Sequence, residues 1–381
     1  MREIISEANP DLYVGADHKA RWERADHRRH GFHNLHRLAR YGISYRSARV
    51  MLLQKAADLR IANMETVGRL TSLPWFSAMA VIRGDQILYE KYAQDFNPDH
   101  PHSIKSISKT VINLLIGRLV EDNKIQLGKQ VCEYLPWIGS GYHQATVQQV
   151  LNMDVANSYS EDCTDPLSTA FDHEEALGWR LPVDLKTEKT QRAFLASITS
   201  RDIKNRTGYC DYKSANSDVL GMIAESVTGK PLRVLLADVA DAAGFEGCLH
   251  ITTDREGFPA VCGGMCLTAR DLARYGSIFM RRGMGIDGLH IGSGPFIDAS
   301  LQGGTAAAPP REGLRYCNHT FTDGRWIGHG GAGGQFMLVD LVSGVVAVFL
   351  SVLEVRDSSD RSYTNPIIQM LSQIGRLEFA N

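Results

Sequence analysis

The chain has 381 residues, 44% hydrophobic and 22% charged, enough to bury a large core and too well mixed for a fibre or a disordered tract. Its formal net charge of −2 and pI near 6.7 exert no general pull toward nucleic acid or an anionic membrane, so a partner has to be recognised locally. Seven scattered cysteines, Cys132, Cys163, Cys210, Cys248, Cys262, Cys266 and Cys317, are an odd number and read as reduced thiols, not a disulfide framework.

The opening MREIISEANPDLYVG places acids and a proline where a secretion signal has its apolar core, so a cytoplasmic location is expected. Residues 18–40 hold five histidines and seven Lys/Arg against two acids, with His27, His30, His33 and His36 at every third position. A metal or a phosphate backbone held on one helical face is the sharper interpretation. The plainer one, a solvated strap on the surface, is the expectation, with no metal and no nucleic-acid partner. Cys262 and Cys266 form a lone C-x-x-x-C without a second pair at ligand spacing, which argues against structural zinc.

Residues 47–70 have helical apolar spacing. Residues 75–93 read as two β-rich runs joined at Arg83-Gly84-Asp85, a hairpin signal. A helix, VINLLIGRLVEDNKI, follows. From about 120 to 310 the pattern is helical or irregular, and strand signals return only at GLRYCNHTF, GRWIGHG, GQFMLVDLV and GVVAVFLSVL. The longest strongly apolar run, residues 345–353, is about half the roughly 20 residues a spanning helix needs, so no membrane is expected. The helix NPIIQMLSQIG closes the chain. A lone hairpin is marginal, so the early hairpin should pair with the late strands. The fold class expected is therefore α+β: an antiparallel sheet flanked by N- and C-terminal helices, with a mostly helical domain inserted. The boundaries are an extension at 1–45, a sheet domain at 46–120 and 310–381, and an insertion at 121–309, with the active site between the last two.

HSIKSISKT, residues 102–110, contains Ser106-Ile107-Ser108-Lys109. Positions i and i+3 share a helix face, and serine needs an adjacent base to become a nucleophile. Lysine serves as that base only where burial or a positive neighbour lowers its pKa, and a helix N-terminus supplies positive potential and an oxyanion donor. The bland alternative is a serine-rich N-cap. Two later stretches supply complementary groups. Tyr212-Lys213-Ser214 precedes a helix, and a phenol beside an ammonium can relay a proton to a leaving group. His329 through Gly334, HGGAGG, runs into a strand, and glycines there let backbone approach a ligand. Taken singly, these are an N-capped helix and a glycine-rich turn.

Taken in order, SISK (106–109), NSYSEDCTDP (157–166) with GW (178–179), YKSANSDVLG (212–221), GGMCLTARDLARYG (263–276) and GGQFMLVDL (333–341) resemble the serine β-lactamase and penicillin-binding-protein superfamily. Within it they are most similar to the branch of 6-aminohexanoate-dimer hydrolases and related carboxylesterases. That resemblance implies Ser106 as acylated nucleophile, Lys109 as its proton acceptor and Tyr212 as proton donor to the leaving group. It implies an oxyanion hole from the N–H groups of Ser106 and Ala332, and substrate contacts from Tyr159, Ser214, Cys262, His329 and Gly331. No cofactor is implied. There are departures: K-T-G is absent and His329-Gly330-Gly331 stands in its place, which disfavours β-lactams. The carboxylate that receives the substrate's amino end in the branch has no secure counterpart, the nearest position being Ala170 with Asp172 close by. The expected function is hydrolysis of a small amide or carboxylic ester through an acyl-enzyme. Acyl transfer, or a non-catalytic scaffold of the same fold, is the alternative, and a homodimer is left open.

Overall fold

Phe76–Arg83 and Gln86–Tyr92 pair antiparallel around a two-residue turn in which Gly84 has φ of +59°, a conformation glycine adopts without the Cβ penalty. The computed structural model describes residues 18–162, 164–182, 188–355 and 357–379; Cys163 lies outside the described residues. The hairpin is completed by the C-terminal part of the chain, because Val345–Ser351 pairs antiparallel with Phe76–Arg83. The sheet then continues outward through Gln335–Asp340, Trp326–Gly331, Thr320–Thr322, Arg315–Cys317 and Thr305–Ala306. On the other side, Gln54–Lys55 extends it beyond Gln86–Tyr92, making nine strands.

Strand periodicity divides the core. Ala78, Ala80, Ile82, Val346, Val348 and Leu350 pack on one face in one core with the helices Ala269–Met280, Val111–Glu121 and Ala215–Thr228. Met79, Val81, Val345, Ala347 and Phe349 pack on the other against the C-terminal helix Arg361–Gly375. Successive side chains point to opposite faces, and both faces are covered, so these strands read as continuous apolar runs. Gly276 sets how near the first helix comes: a Cβ there would stand 2.5 Å from Val346 Cγ1.

Two features depart from the sequence expectation. The stretch between 120 and 310 is not free of strands. Leu249–Thr252 and Met265–Leu267 join Gly42–Tyr45 and His102–Ser103 in a second, four-stranded sheet, and Thr305–Ala306 ends the large one. Strands of two to four residues carry too little periodicity to be seen locally. Nor is the N-terminal segment a solvated strap. His18–Trp22 and Arg28–Leu38 are helices whose Trp22, Phe32, Leu35 and Leu38 are buried with Cys266 and Val352, and Arg28 donates to the carbonyls of Leu353 and Val355 at 2.5 and 2.6 Å. Its histidines have separate partners: His33 bonds Ser77, His36 packs on His250, and His30 meets Asn34. A three-residue spacing drifts around a 3.6-residue helix, which scatters them.

Candidate active site

The segment carrying Ser106 hangs from the small sheet. His102–Ser103 pairs with Met265–Leu267, Ile104 N–H donates to Met265 O at 3.0 Å, and the chain turns into a 3₁₀-helix, Lys105–Thr110. Residues i and i+3 eclipse in such a helix, so Lys109 Nζ stands 3.2 Å from Ser106 Oγ. Lys105, immediately before the serine, has φ of +48°, a costly state for a side-chain-bearing residue. It is held from outside: its ammonium pairs with Glu23 and lies 4.6 and 4.2 Å from the ring centroids of Trp22 and Phe32.

Lys109 is fully buried. Besides Ser106 it donates to Ser214 Oγ at 2.9 Å and to the Cys262 carbonyl. Ser214 sits at the start of the helix Ala215–Thr228, but its side chain caps nothing. The hydroxyl that could have been an ordinary cap is therefore committed to the lysine. Tyr212 covers the same ammonium, its ring centroid 5.1 Å from Nζ, and its buried hydroxyl makes no hydrogen bond of good geometry. Burial pushes the Tyr212 phenol up, while Lys109 and Ser106 pull it back. For Lys109, burial favours the free amine, yet Tyr212, Cys262 and Glu161 together outweigh it and hold the pKa above the ordinary lysine value. The expected depression of the lysine is thus reversed by acidic neighbours.

The opposite wall is the glycine-rich turn. Trp326–Gly331 pairs with Gln335–Asp340, Gly331 facing Gln335, and Gly333 and Gly334 take φ of +87° and +90°. A Cβ on Gly334 would lie 2.4 Å from Ser351 Oγ, so the tight return that presents Ala332 needs glycine there. His329 is buried, hydrogen-bonded to Tyr316 Oη at 3.2 Å and to Gly330 O. Burial drives its pKa far below the usual histidine value, so it is neutral and cannot replace the missing K-T-G ammonium.

Between the walls lies a cleft of about 320 Å³ lined by Ser106, Tyr212, His329, Gly331 and Ala332 among others. Tyr159, Ser214 and Cys262 stand behind it: Tyr159 and Cys262 are 3% and 2% exposed, and Tyr159 Oη is engaged by Glu161 and His173. Three cleft residues were not among the expected site residues. Glu161 accepts the Ser214 N–H, and it, not Asp172, is the carboxylate the fold brings to the cleft. Arg311 and Arg361 line the same cavity, and no carboxylate pairs with either among the described residues. Burial, then repulsion from Arg361, lowers the Arg311 guanidinium to about 10. Spacing along the chain could not reveal these three; the one local hint was Glu161's place in NSYSEDCTDP.

The chain is similar to known proteins over most of its length. The beta-lactamase family profile matches residues 77–365. A 6-aminohexanoate-dimer hydrolase of Paenarthrobacter ureafaciens is 35% identical over 242 residues, which are 62% of this chain and 60% of that relative. The match thus spans about three fifths of the curated relative's length. A structure provisionally named as a 6-aminohexanoate-dimer hydrolase, from Bacillus anthracis, superposes with a TM-score of 0.81 at 19% identity, covering 98% of this chain and all of that one. A penicillin-binding-protein homologue from Caulobacter crescentus gives a TM-score of 0.61 at 17% identity, covering 84% of this chain and 99% of its own. At these identities the structural matches speak for the fold. With three quarters of its length inside the profile, the chain belongs to the beta-lactamase family.

Proposed function

We propose that the protein is a serine hydrolase that cleaves a small amide or carboxylic ester through an acyl-enzyme on Ser106. The observation that carries this is the buried Lys109 ammonium shared between Ser106 and Ser214 beneath Tyr212, at the floor of a cleft. The relationship to a 6-aminohexanoate-dimer hydrolase supports it. In the proposed cycle Lys109 takes the Ser106 proton as Oγ attacks the carbonyl, and the N–H groups of Ser106 and Ala332 receive the oxyanion. Tyr212 then protonates the departing amine or alcohol and is reprotonated through Lys109, and water reverses the sequence to release the acid. Tyr159, Ser214, Cys262, His329 and Gly331 shape substrate binding in this scheme, the first three from behind the wall.

We also infer a reducing, cytoplasmic setting, which the six described cysteines, all unpaired, support. Among the described residues no helix is long and apolar enough to cross a membrane.

The test is a pre-steady-state burst with p-nitrophenyl butyrate and intact-mass analysis of the quenched protein. One acyl adduct per chain, mapped to Ser106, is expected. An unlabelled Ser106 at saturating ester would overturn the proposal.

A further inference from the structure

Lys109 is held as an ammonium by its neighbours, yet a base must first be free of its proton. A buried chain of hydrogen bonds leads from one of those neighbours away from the cleft. Glu161 Oε1 is 3.0 Å from Tyr159 Oη. Tyr159 Oη is 2.9 Å from His173 Nδ1, and His173 Nε2 is 2.7 Å from Asp218 Oδ2. Tyr159, His173 and Asp218 are at most 3% exposed, and Phe194 stacks on the imidazole at 4.8 Å, fixing its plane.

Cys262 also lies near His173 and Asp218, all three offering atoms within 4.8 Å of one another. Two ligands of one tetrahedral zinc, each about 2.0–2.1 Å from the ion, stand roughly 3.3 Å apart. The 2.7 Å between His173 and Asp218 is instead a direct hydrogen bond.

Counting protons fixes what the chain holds. Its three links need one proton each. Two carboxylates, a neutral imidazole and a phenol supply only two, which would leave two acceptors facing each other in a buried site, a costly arrangement. A third proton completes the chain and has two productive resting places. With His173 as imidazolium, Nδ1–H donates to Tyr159, Tyr159 donates to Glu161, and Glu161 is anionic. If the Nδ1 proton passes to Tyr159 Oη while the Tyr159 proton passes to Glu161 Oε1, His173 becomes neutral and Glu161 becomes an acid. No charge is created: one cation and one anion vanish together.

We propose that Glu161, Tyr159, His173 and Asp218 form a proton relay that decides whether Lys109 can act as the base. With the proton on Glu161, the negative charge that helps retain the Lys109 proton is gone, so Lys109 gives that proton to solvent in the cleft at a lower pH and the free amine can then take the Ser106 proton. His173 and Asp218 are positioning residues that store the proton; they touch neither substrate nor Ser106. The remaining groups facing Lys109 are Tyr212, the Cys262 thiol and the neutral His319 and His329. Glu161 further faces Tyr142 and Tyr316.

The inference rests on the proposed acyl-enzyme and is tested by the acylation rate with p-nitrophenyl butyrate across pH in full-length protein. Acylation requires free Lys109 amine, so its rate rises with pH through the lysine pKa. His173→Gln and Asp218→Asn leave Glu161 ionised, and each is expected to move that rising limb up by about one unit, a tenfold loss below it. Adding Glu161→Gln to His173→Gln removes the charge itself and should return the limb to its original place. An unmoved limb in both single variants, or a loss that Glu161→Gln does not rescue, would overturn the relay. If His173→Gln fails to fold, Asp218→Asn with and without Glu161→Gln carries the same comparison. Failure of the hydrolase reading looks different, since wild-type Ser106 would then take no acyl group at any pH.

Discussion

The two sheets reach the cleft in opposite ways. The nine-stranded sheet brings the glycine turn at the end of six-residue strands and is held by burial, alternate side chains entering two apolar layers. The four-stranded sheet brings Ser106 from a strand of two residues and is held by specific contacts from the N-terminal helices: Glu23 on Lys105, Trp22 and Phe32 around the same ammonium, Phe32 against Cys266 and Val352. One wall is a stable scaffold whose shape follows from hydrophobic pattern. The other is a pinned segment, strained at Lys105, whose geometry depends on a few polar and cation–π contacts. Activity and stability should therefore separate between the walls.

The largest effects break that comparison cleanly. Ser106→Ala removes the proposed nucleophile and should lower turnover by roughly 10⁴-fold or more, with no loss of melting temperature, because this part-buried hydroxyl adds little packing. Initial rates beside thermal melts check both halves. Phe349→Ala is the mirror case. It empties a fully buried ring site and should cost about 3–5 kcal/mol in urea unfolding, while the protein that remains folded keeps its acylation rate.

Acid should find the pinned wall first. His33, His36, His100, His102 and His250 cluster where the N-terminal helices meet the small sheet. Burial lowers each of them, His36 to about 4 and His102 to about 3. A histidine kept neutral in the folded state binds fewer protons than in the unfolded chain, so stability rises with pH across the gap between its two pKa values. The contribution is full above the unfolded value near 6.5 and drains away as pH falls toward 4 and 3. Hydrogen exchange should then show Arg28–Leu38 and Leu249–Thr252 opening at pH 5 before Val345–Ser351. Simultaneous opening would remove the distinction between the walls.

The same contrast explains what could be read in advance. The hairpin at Gly84, its pairing with the last strands and the position of Ser106 before a helix all follow from patterns longer than five residues. Leu249–Thr252 and Met265–Leu267 do not, because so short a strand is chosen by its tertiary neighbours and not by its own propensity. The N-terminal helices were misread because their apolar residues, Trp22, Phe32, Leu35 and Leu38, are diluted by charges that are themselves engaged, Arg29 with Asp95 and Arg40 with Glu188. Within the site, Ser106, Lys109, Tyr212 and Ala332 lie in recognisable motifs, whereas Glu161, His173 and Asp218 become a set only in space. Even the lysine's charge was legible only halfway: burial was foreseeable, the acids around it were not.

Glu23→Gln probes the pin itself. Lys105 keeps its charge but loses this anion, leaving the Trp22 and Phe32 rings and the Ser108 hydrogen bond to its carbonyl to hold its strained backbone. A nucleophile displaced by a fraction of an ångström loses near-attack geometry, so kcat should fall about tenfold with KM nearly unchanged. An equal change in both would point to general loosening of the protein.

The smallest expected effect lies on the large-sheet side of the cleft. Arg311 rests over Phe321 at 5.4 Å, its buried Nε has no hydrogen-bond partner among the described residues, and Arg361 repels it from the same cavity. Two guanidiniums that face one space, neither paired with a carboxylate among the described residues, favour an anion there. Tyr212 lies near enough to Arg311 to influence its charge, which puts that anion on the side where Tyr212 would protonate the leaving group. A leaving group that carries a carboxylate fits this placement, and a β-lactam gripped by a lysine ammonium does not. Arg311→Gln should raise KM about fivefold for an N-acylated aminoalkanoate, the effect of roughly 1 kcal/mol from a partly solvated charge pair. For the methyl ester of the same compound the two proteins should have equal KM. If both substrates weaken together, the arginine shapes the wall without reading charge, and the scaffold side of the cleft contributes geometry alone.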